Sequence, residues 1–185
     1  MQGFAQRSGS SYANYWQSYL NGWHQFHACR LTEAVESFST AVEMQYIGYA
    51  TVIIDAYAGL ALSQQLLGRW EKANELVGKM LDFAGTMDDA HCLAMAQSSQ
   101  ARIKLLQGDL SAALLWAQSL VMEPDLGSLF FWLENPWINK SRILLAEGSE
   151  NNLEKAGELL QALKEISDKG NFICQQRDIN ILQAL

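Results

Sequence analysis

The chain has little that would interrupt a helix. Its 185 residues hold two prolines, Pro124 and Pro136, and its thirteen glycines fall mostly where elements should end. Proline removes a backbone donor and clashes with the preceding turn, so its scarcity leaves long helical stretches open. Apolar stretches are short and broken by Gln, Ser, Asn or Gly, so none reads as a membrane span. No charged segment followed by an apolar core and a small-residue cleavage site opens the chain, which leaves export unsupported. Cysteines are few, odd in number and far apart (Cys29, Cys92, Cys174), as suits buried thiols in a reducing compartment; a bacterial-type cytoplasm is the expected location. Lys and Arg number 13 against 20 Asp and Glu, a formal net charge of −7. That balance argues against direct nucleic-acid binding, which needs clustered cations to displace counterions. No Ser/Gly-rich or single-charge run marks an internal linker. Residues 1–11, with Arg7-Ser8-Gly9-Ser10-Ser11, read as a flexible leader, and 12–185 as one helical-repeat domain.

What the chain does have is a repeat of about forty residues. Four segments correspond: Cys29-Arg30-Leu31-Thr32-Glu33-Ala34, Gly68-Arg69-Trp70-Glu71-Lys72-Ala73, Gly108-Asp109-Leu110-Ser111-Ala112-Ala113 and Asn151-Asn152-Leu153-Glu154-Lys155-Ala156. Their closing alanines, Ala34, Ala73, Ala113 and Ala156, stand 39, 40 and 43 residues apart. A fixed period in this range marks stacked supersecondary units, none able to bury its apolar face alone. Stacks of this kind recognise partners rather than transform substrates.

Each unit reads as helix, tight turn, helix. Apolar residues from Ile53 to Leu67 recur at three- and four-residue intervals, and Gly68 stands where a left-handed helix cap belongs. Trp70 opens a second helix through Leu81, with Gly85 ending it. Thr86 and Asp89 resemble a capping pair for a helix that runs to about Gln107, and Asp109 is placed to cap the one after Gly108. Asn135-Pro136 supplies an N-cap and a first-turn proline. The turn Gly148 to Asn152 is expected to be about three residues longer than its counterparts, which accounts for the stretched last spacing. Small residues (Gly22, Ala61, Ala101, Ser141) precede the signature alanines at a matching offset, so that paired helices can approach closely. The expected fold is all-α, a right-handed superhelix of about four helix hairpins plus a truncated fifth. The units fall near residues 12–45, 50–84, 87–120 and 136–168, with a partial one at 171–185. The pattern resembles the tetratricopeptide repeat, whose usual period is about 34 residues, with longer helices or connections.

The second half carries a more specific resemblance. Phe131-Trp132-Leu133-Glu134-Asn135-Pro136 leads into Ser141-Arg142-Ile143-Leu144-Leu145-Ala146-Glu147-Gly148. Then follow Leu153, Ala156, Leu159, Leu160 and Leu163, and at the end Leu182-Gln183-Ala184-Leu185. Upstream stands Gln107-Gly108-Asp109-Leu110-Ser111-Ala112-Ala113-Leu114-Leu115-Trp116-Ala117. Together these are similar to the helical-repeat arm of large ATP-dependent LuxR/MalT-type bacterial transcriptional regulators. The likeness covers roughly residues 12–185 and is most specific from 101 onward; Pro136 is displaced by one residue from the family's usual place. The resemblance implies an effector-sensing or protein-interaction arm that is not itself catalytic and holds no cofactor. It also implies partner domains, an ATPase before the arm and a helix-turn-helix after it. Gly78-Lys79 lacks the upstream glycine of a phosphate-binding loop, and nothing here resembles a recognition helix. The alternative is a stand-alone tetratricopeptide-like scaffold that binds a protein partner.

Candidate site residues follow from the repeat register. In tetratricopeptide-like stacks the first helix of each pair lines the concave face. The position after each small crossing residue is Trp23, Leu62, Arg102 and Arg142, so Arg102 and Arg142 recur at one inward place. Two guanidiniums one repeat apart suit a carboxylate, a phosphate or an acidic peptide; the competing reading pairs each with a neighbouring Glu or Asp. Trp16, Tyr19, Trp23 and Phe26 give the first unit an aromatic inner face, suited to a small-molecule effector or peptide, or else to packing against a further repeat. Phe130, Phe131, Trp132 and Trp137 read as anchors of a long connection. The partial last unit leaves an apolar face through which two copies could associate. His24, His27, Cys29, His91 and Cys92 show none of the paired spacings of a zinc site, and no nucleophile elbow is present, so neither metal nor enzyme is expected.

Overall fold

The structure, a computed structural model, describes residues 11–124 and 132–185. Of the expected leader, residues 1–10 lie outside this range, as do Phe130 and Phe131. The described residues form nine helices and no strand: α1 Ser11–His27, α2 Leu31–Glu43, α3 Ala50–Leu66, α4 Trp70–Thr86, α5 Ala90–Leu106, α6 Leu110–Ser119, α7 Pro136–Glu147, α8 Glu150–Gly170 and α9 Ile173–Gln183. The chain is all-α, with consecutive helices packed as pairs. It divides into two compact units, residues 1–96 and 97–185, with the division inside α5.

In the first unit α1 packs on α2, α2 on α3 and α3 on α4, while α1 also touches α3. Contact between first helices of successive hairpins is what lets each hairpin cover the next one's apolar face. α3 is buried on every side from Val52 to Gln65 rather than along one stripe. It therefore carries polar side chains inside the protein, and these are bonded. Tyr19 donates to Asp55 Oδ2 at 2.6 Å, Ser63 Oγ to the Gly59 carbonyl at 2.7 Å, and Arg69 to Gln64 Oε1 at 3.2 Å. Phe38 of α2 fills the space between α1 and α3. A Cβ on Gly22 would stand 2.7 Å from its ring and one on Gly59 2.5 Å from it, so both glycines are required by packing. Gly22 thus makes room for an aromatic ring, not for an alanine. Burying Phe38 fully contributes about 1.5–3 kcal/mol.

In the second unit α6 packs on α7, α7 on α8 and α8 on α9, with α7 also meeting α9. Ala101, Ala113, Ala117 and Ile143 form a core to which Ala101 and the signature Ala113 both belong.

The turns within the first three hairpins share one chemistry. Gly68 and Gly108 have φ of 74° and 84°, and the following residue's N–H reaches back five residues: Arg69 to the Gln64 carbonyl and Asp109 to that of Lys104, each at 2.9 Å. That bond closes the Schellman motif, which satisfies the carbonyls a helix end leaves open. The first turn makes the same bond, Arg30 N–H to the Gln25 carbonyl at 2.9 Å, with Cys29 in the left-handed region at φ 56°.

Several boundaries differ from expectation for identifiable reasons. Asp89 caps α5 by accepting from the His91 and Cys92 N–H groups at 2.8 and 3.2 Å. Thr86 does not join it; its hydroxyl donates to the Phe83 carbonyl at 2.7 Å, and α4 runs through Gly85 to reach it. The three extra residues of the fourth repeat lengthen α8, not the turn: α8 begins at Glu150, so Asn151 and Asn152 are helical. Glu147 holds this short turn by accepting from the Ser149 N–H at 2.9 Å and the Asn152 amide at 2.8 Å. Asp109 and Asn135 cap α6 and α7 as their sequence contexts imply, and Gly148 takes φ 78°. Of the cysteines, Cys92 is buried but Cys29 is exposed.

Candidate functional site

The aromatic residues of α1 divide between two stripes. Tyr15, Tyr19 and Gly22 face the core, and Tyr19 is fully buried with its hydroxyl on Asp55. Trp16, Trp23 and Phe26 are half-buried beside this stripe. Trp16 meets Tyr19 edge-on at 6.0 Å, and Trp23 lies over His27 with ring centroids 4.3 Å apart. The rings are largely packed against each other along the helix. An open cleft of about 840 Å³ lies elsewhere in the first unit, lined by Gln45, Tyr46, Tyr49, Tyr57, Lys79 and Asp82 among others.

In the second unit Arg102 on α5 and Arg142 on α7 come into one polar cluster, together with residues the repeat register did not single out. Ser98 lies one turn before Arg102, and Asn139 one turn before Arg142, so each helix presents both on one face. Glu134, just ahead of the α7 cap, is fully buried. Its Oε1 accepts from the Ser98 hydroxyl at 2.5 Å and its Oε2 from Arg102 at 3.4 Å. Asn139, 1% exposed, donates to the Ser98 carbonyl at 2.8 Å and to its hydroxyl at 3.3 Å. Its Oδ1 accepts from Arg142 at 3.4 Å. Asn135 and Pro136 explain why Glu134 is held here. The Asn135 side chain accepts from the Trp137 and Ile138 N–H groups, and Trp137 anchors the segment by donating its indole N–H to the Met122 carbonyl at 2.8 Å.

The electrostatics of the cluster are uneven. Burial pulls the Arg142 guanidinium down to about 10, Arg102 adds to the shift by like-charge repulsion, and Glu134 and Asp178 of α9 oppose it. Asp178 itself bonds to Arg177 at 3.1 Å. Arg102 thus has an internal counter-ion in Glu134, as the competing reading of the sequence required, whereas Arg142 forms no ion pair among the described residues. The signal for Glu134 was present in the sequence as part of the Trp132-Leu133-Glu134-Asn135-Pro136 segment, but its burial could not be read there.

A second cleft of about 900 Å³ opens in this unit beside Met122, Trp137, Lys140, Leu144, Lys155 and Leu159. Lys140 reaches across it to the Leu120 carbonyl at 2.8 Å, and burial lowers its ammonium below the ordinary lysine range. Among the described residues no three His, Cys, Asp or Glu side chains are grouped to hold a metal ion, and no helix is long and apolar enough to cross a membrane. Comparison with known proteins finds no family model and no curated protein that matches the chain.

Proposed function

We propose that this chain is an effector-sensing or protein-interaction arm of an ATP-dependent transcriptional regulator, acting from the cytoplasm, and that its hairpins continue into a tetratricopeptide-like superhelix. The observation that carries the reading is the convergence of Arg102 and Arg142. They occupy equivalent places in successive repeats, lie within electrostatic reach of each other, and share a buried polar frame of Glu134, Ser98 and Asn139. Two cations on first helices of adjoining hairpins can bind one ligand and so bias how those hairpins stack. A ligand shifts such an equilibrium only by its differential affinity for the two arrangements. The bias would then pass to the neighbouring domains.

A thermal-shift screen of small molecules on the chain and on an Arg102→Ala, Arg142→Ala double variant tests this. A compound that raises the wild-type Tm and leaves the variant's unmoved supports the site, because a ligand that binds only the folded state stabilises it by mass action. Equal stabilisation of both removes the two arginines from the site.

The scaffold reading is favoured by one feature, the exposed tyrosines of the first unit. Tyr46 and Tyr49 are 90% and 63% exposed beside the first-unit cleft, and exposed aromatics are frequent anchors of protein interfaces. A chain stabilised by no compound but by a protein, with loss on Tyr46→Ala and Tyr49→Ala, would decide for it.

A further inference from the structure

The cluster around Arg142 carries an imbalance that names a ligand class, on the premise that it is the effector site proposed above. The charged groups close enough to act on Arg142 are Arg102, Glu134 and Asp178, with Arg177 bonded to the last of these. Arg102 and Arg177 are matched by Glu134 at 3.4 Å and Asp178 at 3.1 Å, which leaves the Arg142 charge in excess. Glu134 is not free to turn toward it. One of its oxygens is held by Ser98 at 2.5 Å, the other faces Arg102, and the Asn135 cap fixes the backbone that follows. Arg142 has a single hydrogen bond among the described residues, a long one to Asn139. A guanidinium offers five N–H donors in a planar fork, so most of this fork is left for an acceptor from outside. The fork matches two oxygens of a carboxylate or phosphate, and bonds between ionised partners are the strong ones.

We infer that Arg142, backed by the Arg102–Glu134 pair, takes one oxyanion group, carboxylate or phosphate, of a small ligand. Glu134 supplies the stationary counter-charge that keeps Arg102 in place, and Asp178 competes with the ligand from α9.

Calorimetric titration of the whole chain with succinate and, separately, with inorganic phosphate at low ionic strength tests the inference and tells the two sources apart. The variants are Arg142→Gln, Arg142→Lys and Asp178→Asn, with Lys79→Gln as a cation control in the other unit. The expected result is binding of one anion, weakened about tenfold or more by Arg142→Gln, consistent with the loss of charged hydrogen bonds. Arg142→Lys should recover only part of it, Asp178→Asn should tighten it, and Lys79→Gln should leave it unchanged. Equal binding by wild type and Arg142→Gln, or binding of neither anion at about 10 mM, a Kd beyond the weak limit of specific recognition, overturns the inference. If Arg142→Gln does not fold, unchanged affinity in Asp178→Asn overturns it. A neutral compound or a protein that stabilises the chain while both anions fail removes the oxyanion and leaves the sensing reading in place. Anion binding at Arg142 in a native protein without the flanking ATPase and DNA-binding domains would do the reverse.

Discussion

Tyr15 and Tyr19 lie one turn apart on α1, both fully buried, and their hydroxyls differ in one respect. The Tyr19 hydroxyl donates to Asp55, whereas the Tyr15 hydroxyl has no partner among the described residues. A buried hydroxyl without a partner is a desolvation penalty, and a buried carboxylate that loses a donor is a larger one. Tyr15→Phe is therefore expected to leave stability unchanged or raise it, and Tyr19→Phe to lower it by about 1–3 kcal/mol. Urea unfolding of the two variants measures the contrast, and equal effects would show that Asp55 does not depend on Tyr19. The same logic separates the arginines. Arg102 answers a carboxylate that is fully buried, so its role is partly structural, while Arg142 answers none among the described residues. The repeat register made the two equivalent, and only their surroundings make them different.

At the scale of elements the hairpin turn is the clearest case. The chain must enter the left-handed region to close each Schellman motif, and glycine does so without steric strain. Gly68 and Gly108 meet the demand, but the first repeat puts Cys29 there at φ 56°. Cys29 is exposed, so its side chain contributes little packing to offset the strain. Cys29→Gly is expected to stabilise the first hairpin by about 1 kcal/mol, the usual penalty for a non-glycine residue in this conformation. A rise in Tm checks it, and a fall would show that the cysteine holds a contact. The fourth repeat went the other way. Its extra residues looked like a longer turn because Asn151-Asn152 matched the repeat motif, yet a helix adds one hydrogen bond per residue fixed and a longer loop adds none. The helix took them up, with Gly148 and Ser149 as the short turn.

For the molecule as a whole, burial of ionisable groups sets how stability should vary with alkaline pH. Burial pushes the Cys92 thiol from 9.0 up to about 12, with Asp89 adding to the shift, and it raises the Tyr15 and Tyr19 hydroxyls above 10.0, with Asp55 contributing. A folded state whose pKa lies above the unfolded one holds its proton longer. The stabilisation is complete below the unfolded values and is lost as pH climbs from about 9 through the folded values. Each group that stays protonated only when folded lowers stability by about 1.4 kcal/mol per pH unit in that range. The urea midpoint should fall from about pH 9, and more steeply above about pH 10 where the tyrosines join, and Cys92→Ala should shallow the slope. A flat profile would mean that these groups are open to water.

How much of this was legible in the sequence depends on how local the cause is. Helix identity, the caps at Asp109 and Asn135, and the left-handed turns at Gly68 and Gly108 all follow from neighbours within a turn or two. Those residues determine them through backbone sterics and hydrogen bonding alone. Tertiary packing decided the rest. It sank Tyr19 into the core while Trp16 and Trp23 stayed half-buried, placed the Phe38 ring between Gly22 and Gly59, and surrounded α3 on all sides. It also brought Glu134 to Ser98 across 36 residues of chain and so gave Arg102 a counter-ion that Arg142 lacks. Burial and long-range charge pairing belong to the folded surface around a residue, and a period in the sequence carries no record of which member of a repeated pair will be neutralised.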